Sequence, residues 1–183
     1  MSETEYSLGR NCGVTFAGIK PASMVCIKKR GLRDLERIAR CFKNRGFSFC
    51  ALKDNGERLL VLVYNDKSLY NVLFDKENKE FLESAGYRYS SVSEALSLLR
   101  ERMKNEDFPH ESGIFLGYPL PDVKGFISSP AAGVKLSGYW KVYSDEKSAA
   151  EKFKRYKKCT ECICEKMLKG VGLPAIFGVA NPA

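Results

Sequence analysis

The amino-acid sequence predicts one α/β or α+β domain with three layers, built from about five helices and about five strands in a mixed sheet with one hairpin. The chain has 183 residues, the size of a single domain, and 44% of them are hydrophobic. Stretches with apolar residues at helical spacing are interspersed with short apolar runs. Because no repeat, linker or composition break interrupts them, we expect one domain over residues 1–170 and an apolar tail over 171–183.

The first half of the chain predicts a strand, a basic helix and a hairpin. An amphipathic apolar pattern indicates the helix, and Gly46 ends it. The Asn55-Gly56 pair between two apolar runs has the chemistry of a turn, so we expect the runs to pair antiparallel. The predicted elements are a strand at 24–28, a helix at 31–45 and hairpin strands at 47–52 and 59–64.

The second half predicts further helices and two strands. Asn65 or Asp66, Ser91 or Ser93, and Ser144 or Asp145 are residue types that favour the first position of a helix. The predicted elements are helices beginning at these three places, a short helix at 78–85, a helical turn at 122–127, and strands at 113–118 and 138–143. The last helix is expected to run to about residue 169, where Gly170 ends it.

Charge and cysteine content limit the class of protein. The net charge is +8, from 30 basic and 22 acidic residues, which favours anionic partners. The longest apolar runs are far shorter than the roughly 20 residues of a membrane helix. The acidic start, Met-Ser-Glu-Thr-Glu, differs from a secretory signal. We therefore predict a cytoplasmic protein without membrane contact, whose seven cysteines form no structural disulfides.

The segment 110–126 concentrates residues with special backbone properties. It contains the only histidine, His110, together with Gly113, Gly117 and Gly125. Glycine permits backbone angles and close approaches that a side chain blocks, so we predict a tightly specified strand-turn-helix. The sequence lacks three motifs of known chemistry: the second histidine of a zinc-protease helix, a nucleophile elbow and a phosphate-binding glycine loop. The segment therefore indicates no known reaction.

The sequence Cys159-Thr-Glu-Cys-Ile-Cys164 has spacings that suit metal or dithiol chemistry. Its position late in a helix is unfavourable for a reactive thiolate, because the helix dipole there is negative. Helical phase predicts a buried stripe through Ala149, Phe153, Tyr156, Ile163 and Met167. Cys162 lies outside this stripe. Structural packing is the preferred interpretation of these cysteines. A metal or redox site of Cys12 with Cys159 or Cys162 is the alternative.

Two basic surfaces are predicted, one at 28–45 and one at 154–158 with Lys141 and Lys152. Phosphate backbones bind such surfaces without sequence preference. Neither stretch carries a nucleic-acid signature such as an RNP sequence or a zinc knuckle. We interpret both as solvated helix faces, and a nucleic-acid-binding module ranks third among our hypotheses.

Three stretches resemble a bacterial family of small proteins known as domain of unknown function 3793. They are Cys12-Gly-Val-Thr-Phe-Ala-Gly-Ile-Lys-Pro-Ala-Ser23, the segment 110–126, and Gly138-Tyr-Trp-Lys-Val-Tyr143 with Tyr156-Lys-Lys-Cys159. The resemblance covers most of residues 11–168. It implies a small cytosolic protein, because the members of the family are small cytosolic proteins that come mostly from anaerobic Firmicutes. It implies no activity, cofactor or catalytic residue.

The leading functional hypothesis is a domain that binds a small anionic molecule between the turn 18–21 and the segment 110–126. The two lysines of the predicted site would meet the anion, His110 would supply a titratable hydrogen bond, and the aromatic residues would supply apolar contact. The predicted site residues are Lys20, His110, Glu111, Tyr118, Lys124 and Trp140. The sequence predicts neither a cofactor, nor a reaction, nor an oligomeric state.

Overall fold

The computed structural model describes residues 1–105 and 108–179. These residues form nine α-helices and five strands in two sheets. The helices are α1 (Glu3–Phe16), α2 (Leu32–Lys43), α3 (Asp66–Leu73), α4 (Lys76–Ser84), α5 (Val92–Arg102), α6 (Ser112–Phe115), α7 (Leu120–Ser128), α8 (Glu146–Leu168) and α9 (Leu173–Ile176). The strands are β1 (Ala22–Lys28), β2 (Phe47–Asp54), β3 (Arg58–Asn65), β4 (Leu136–Ser137) and β5 (Lys141–Val142). The fold is therefore α+β.

The main sheet has the strand order β1-β3-β2, and both pairs are antiparallel. Ala22 pairs with Tyr64 at one end of β1, and Lys28 pairs with Arg58 at the other. The hairpin of β2 and β3 contains an irregularity between Ala51 and Lys53. Leu136 and Val142 pair in the small second sheet, which is also antiparallel. The prediction of a mixed sheet was therefore wrong, whereas the hairpin is confirmed.

Helices pack on both faces of the main sheet. Val61 and Val63 of β3 face a core formed with α1, α2, α8 and α9. Leu62, between them in sequence, faces a second core formed with α3 to α7. This alternation is the period of two expected of a strand buried on both sides. A third cluster around Trp140 and Tyr156 joins α1, α8 and the small sheet.

The helix starts predicted from capping residues are confirmed. The side chains of Asn65, Ser91 and Asp145 accept hydrogen bonds from backbone amides three residues later, at 2.9 to 3.2 Å. The prediction of about five helices was too low. It omitted α1, whose Gly9 and Gly13 lower helix propensity. A Cβ on Gly13 would lie 2.6 Å from Ile163 Cδ1, so small residues let α1 approach α8.

The predicted strand 113–118 was wrong, because residues 113–115 belong to a helix and residues 116 and 117 form a turn. Ile114 and Phe115 lie in α6 and are fully buried, and Gly117 follows in a turn with φ +74°. A short buried apolar run does not distinguish a strand from a helix. Of the predicted strand 138–143, only Lys141 and Val142 form a strand.

The apolar segment after α8 packs against the core. Leu173 is fully buried, and its amide donates to Glu5 Oε1 at 2.8 Å. Phe177 lies 5.9 Å from both Phe16 and Phe42, measured between ring centroids. Residues 180–183 of the predicted tail lie outside the described residues, and the division into a domain and a tail stays a prediction.

No helix in the described part of the chain is long and apolar enough to cross a membrane. The cytoplasmic location stays a prediction.

Candidate ligand-binding site

A cavity of about 380 Å³ lies between α6, α7 and the small sheet. Most of its surface is apolar, and its basic lining residues in the described part of the chain are His110 and Lys141. Its lining consists of Phe108, His110, Ser112, Gly113, Leu116, Tyr118, Asp122, Val123, Phe126, Trp140 and Lys141. This region contains the segment that the sequence predicted to be tightly specified.

Glycines bring the elements around this cavity into close contact. A Cβ on Gly113 would lie 2.9 Å from Val123 Cγ2, and a Cβ on Gly125 would lie 2.5 Å from Tyr143 Cγ. Real Cβ atoms do not approach other atoms so closely, since packed interiors resist overlap. The two glycines therefore let α6 approach α7, and α7 approach the end of the small sheet.

An aromatic pair forms one wall. The rings of Tyr118 and Trp140 stack with centroids 5.0 Å apart and planes inclined by 26°. Phe153 of α8 contacts Trp140 edge-on at 4.6 Å. The Tyr118 hydroxyl donates to the carbonyl of Tyr139 at 3.2 Å. These contacts fix the rings, so the wall exists before any ligand arrives.

Asp122 anchors this wall to α7. It is only 2% exposed. Its carboxylate accepts hydrogen bonds at 2.8 Å from Trp140 Nε1, from the backbone amides of Tyr143 and Ser144, and from the Ser144 hydroxyl. Burial alone would raise the pKa of Asp122, but these donors outweigh it and hold the pKa below its ordinary value. Sequence reasoning missed this role. The available signal was an aspartate in the first turn of a predicted helix, between prolines and glycine.

The basic side chains lie at the mouth of the cavity. His110 is exposed, and its ring meets Phe126 edge-on with centroids 4.9 Å apart. Lys141 is also exposed, and its Nζ lies 5.5 Å from the centroid of the Phe126 ring. The same ammonium donates to the carbonyl of Pro130 at 2.8 Å. The cavity therefore has an apolar interior and a basic rim around Phe126.

Three of the six predicted site residues, His110, Tyr118 and Trp140, line this cavity. Lys20 lies behind the wall, with Nζ 5.0 Å from the Tyr118 ring centroid. It is 9% exposed. Burial lowers the pKa of Lys20 to about 8, and the nearby Cys12 opposes this shift. Lys20 therefore supports the wall and is not a lining residue.

Glu111 and Lys124 lie outside the cavity. Glu111 Oε1 accepts from the Tyr87 hydroxyl at 3.0 Å and from Arg102 Nη1 at 2.9 Å. Burial, and secondarily the charge of Glu111, raises the pKa of Tyr87. Lys124 is exposed, with its Nζ 5.6 Å from the Phe81 ring centroid. Lys20, His110 and Lys124 thus do not share one concavity.

The cysteines of the alternative site differ widely in exposure. Cys12 is fully buried, and burial raises its pKa to about 12. Cys159 is half-buried, and burial raises its pKa as well, whereas Cys162 is exposed. In residues 1–105 and 108–179, no group of three or more histidine, cysteine, aspartate or glutamate side chains could hold a metal ion. The thiol-dependent hypothesis stays a prediction.

Comparison with known proteins identifies a family. The family model described as "Protein of unknown function (DUF3793)" matches residues 8–177. No curated protein and no solved structure matches the chain.

Proposed function

We propose that this chain, which belongs to the DUF3793 family, binds a small amphipathic anion in the cavity between α6, α7 and the small sheet. The observation that carries the proposal is the division of the cavity into an apolar, aromatic-walled interior and a basic rim. The apolar body of the ligand would enter, and its acidic head group would stay at the mouth.

The interior suits an apolar body. A volume of about 380 Å³ lies within the range typical of small-molecule sites, which are mostly apolar with few polar groups. The ionised carboxylate of Asp122 lies in the wall and has its oxygens occupied by four donors. An anion placed deep in the cavity would meet this negative charge. The head group is therefore expected near His110 and Lys141.

The rim contributes less to affinity than the interior does. His110 and Lys141 are exposed, and an exposed ion pair contributes only about 0.2–1 kcal/mol. Lys141 would strengthen the binding of an anion by roughly 1.4- to 5-fold over a neutral analogue, and a protonated His110 would add a second factor of this size. We expect this preference to be modest and sensitive to salt.

The only tryptophan of the chain, Trp140, lies in the cavity wall, so its fluorescence reports on occupancy. We would titrate the protein with octanoate, with uncharged octanamide and with acetate, none of which absorbs where tryptophan emits. Octanoate is expected to change the emission at the lowest concentration, and acetate is expected to have no effect in the same range.

Three variants test the two parts of the site. His110→Ala/Lys141→Ala should bring octanoate to the affinity of octanamide, whereas Phe126→Ala should weaken both ligands. Lys124→Ala is the matched control, because this exposed lysine lies on α7 outside the cavity. Equal binding of octanoate and acetate would refute the apolar interior. An unchanged preference for octanoate in the double variant would refute the role of the rim.

A further inference from the structure

A second concave surface lies along α8 and adjoins the aromatic wall of the cavity, because Phe153 contacts Trp140. It is an open groove of about 380 Å³ lined by Gly138, Tyr139, Phe153, Lys154 and Lys157. Aromatic rings and lysine side chains thus share one small surface. None of these five residues lines the proposed ligand cavity.

The aromatic part of the groove is held in place. Tyr139 contacts Tyr156 edge-on at 5.1 Å and Phe153 at 5.5 Å between ring centroids. A Cβ on Gly138 would overlap the Phe153 ring, so glycine is needed for this approach. Tyr139 nevertheless remains 42% exposed. A fixed, exposed aromatic ring provides a surface on which a flat partner can stack.

The charge around the groove is positive. Lys154 and Lys157 are exposed and one helical turn apart on α8, and the exposed Arg155 and Lys158 adjoin them. Lys157 pairs weakly with Glu161, with Nζ and Oε1 3.9 Å apart. Within the described residues, Lys154, Arg155 and Lys158 form no ion pair. An anionic partner would therefore follow the Lys154 side of the groove and avoid the Glu161 end.

We propose that this groove binds single-stranded nucleic acid, with a base stacked on Tyr139 and the adjacent phosphates at Lys154 and Lys157. A single strand alternates flat bases with phosphates. The groove offers a matching arrangement, with an aromatic ring for a base beside ammonium groups for the phosphates. Proteins that bind single strands without sequence preference combine aromatic rings with a basic groove in this way. An acidic peptide would use the charges but not the ring.

The test is fluorescence anisotropy of the full chain with fluorescein-labelled U15 RNA at 50 to 200 mM KCl. Tyr139→Ala should weaken binding by roughly 5- to 160-fold, the range found for loss of one base stack. Tyr139→Phe keeps the ring and should bind as the original chain does. Lys154→Glu/Lys157→Glu should weaken binding and reduce the slope of log K against log salt by about 1.4, since each phosphate contact contributes about 0.7.

The matched control is Lys166→Glu/Lys169→Glu, which changes the net charge equally at exposed positions about 18 Å further along the helix. It should bind more tightly than the Lys154/Lys157 variant. Glu161→Gln should strengthen binding, and this outcome does not depend on the stability of the Tyr139→Ala protein. No binding at 50 mM KCl, equal weakening by the control, or equal competition by polyglutamate would each overturn the proposal.

Discussion

Replacement of Gly117 by alanine should destabilise the protein through two separate effects. Gly117 has φ +74°, a conformation that costs a residue with a Cβ about 1–2 kcal/mol. The new Cβ would also overlap the Pro21 ring, lying 2.7 Å from Cδ and closer still to Cγ. Such overpacking costs about 1–3 kcal/mol. The sum is about 2–5 kcal/mol, which for a domain of this size lowers Tm by about 4–20 °C.

Urea unfolding followed by circular dichroism measures this loss, and two variants separate its causes. Gly18 has φ +69°, and no described atom lies within 4 Å of the place that a Cβ would take there, so Gly18→Ala should lose only the conformational part. Adding Pro21→Ala to Gly117→Ala removes the ring atoms and should recover part of the overpacking cost in a double-mutant cycle. Equal losses in Gly117→Ala and Gly18→Ala, with no coupling to Pro21, would refute the close contact between this turn and the start of β1.

Three further predictions concern buried polar groups and thiols. Lys20→Met should stabilise the protein at pH 7, because burial lowers the pKa of Lys20 from 10.5 to about 8. Between pH 8 and 10.5 the unfolded chain binds more protons than the folded chain, so the free energy of unfolding of the original chain should rise with pH. The stability advantage of Lys20→Met should therefore shrink across this window, by about 3 kcal/mol at most. Parallel profiles of unfolding free energy against pH for the two proteins would contradict this. Trp140→Phe removes the donor to Asp122 and should cost about 1–3 kcal/mol in urea unfolding, whereas Tyr143→Phe, which removes an exposed hydrogen bond to Pro130, should cost less. Iodoacetamide labelling with mass spectrometry should modify Cys162 before Cys159 and Cys164, because only Cys162 of the three is fully on the exposed side of α8. The reverse order would contradict this orientation of α8.

Local signals in the sequence predicted the hairpin, the helix caps and the buried stripe of α8. Asn65 and Asp145 act on amides three residues away, so their effect is visible in a short window of sequence. In α8, Ala149, Tyr156, Ile163 and Met167 are buried as the helical phase predicts, while Phe153 is half-buried. These features depend on neighbours along the chain.

Features that depend on distant residues escaped prediction. The small residues of α1 reflect its contact with α8, more than 140 positions away, and locally they weaken the helical pattern. Asp122 is paired with Trp140 and Ser144, which no spacing rule connects. Lys124 adjoins the lining residue Val123 in sequence, but one step along a helix turns a side chain by about 100°, and Lys124 lies outside the cavity.

The contact between α1 and α8 has a consequence for synthesis on the ribosome. Gly9 and Gly13 pack against Met167 and Ile163, and Glu5 accepts from the amide of Leu173. The core on this face of the main sheet therefore stays incomplete until α8 and α9 have left the exit tunnel. Contacts between such distant residues slow folding and expose apolar surface in the meantime. We expect the nascent chain to stay bound to a holding chaperone until α8 and α9, which end at Ile176, have emerged.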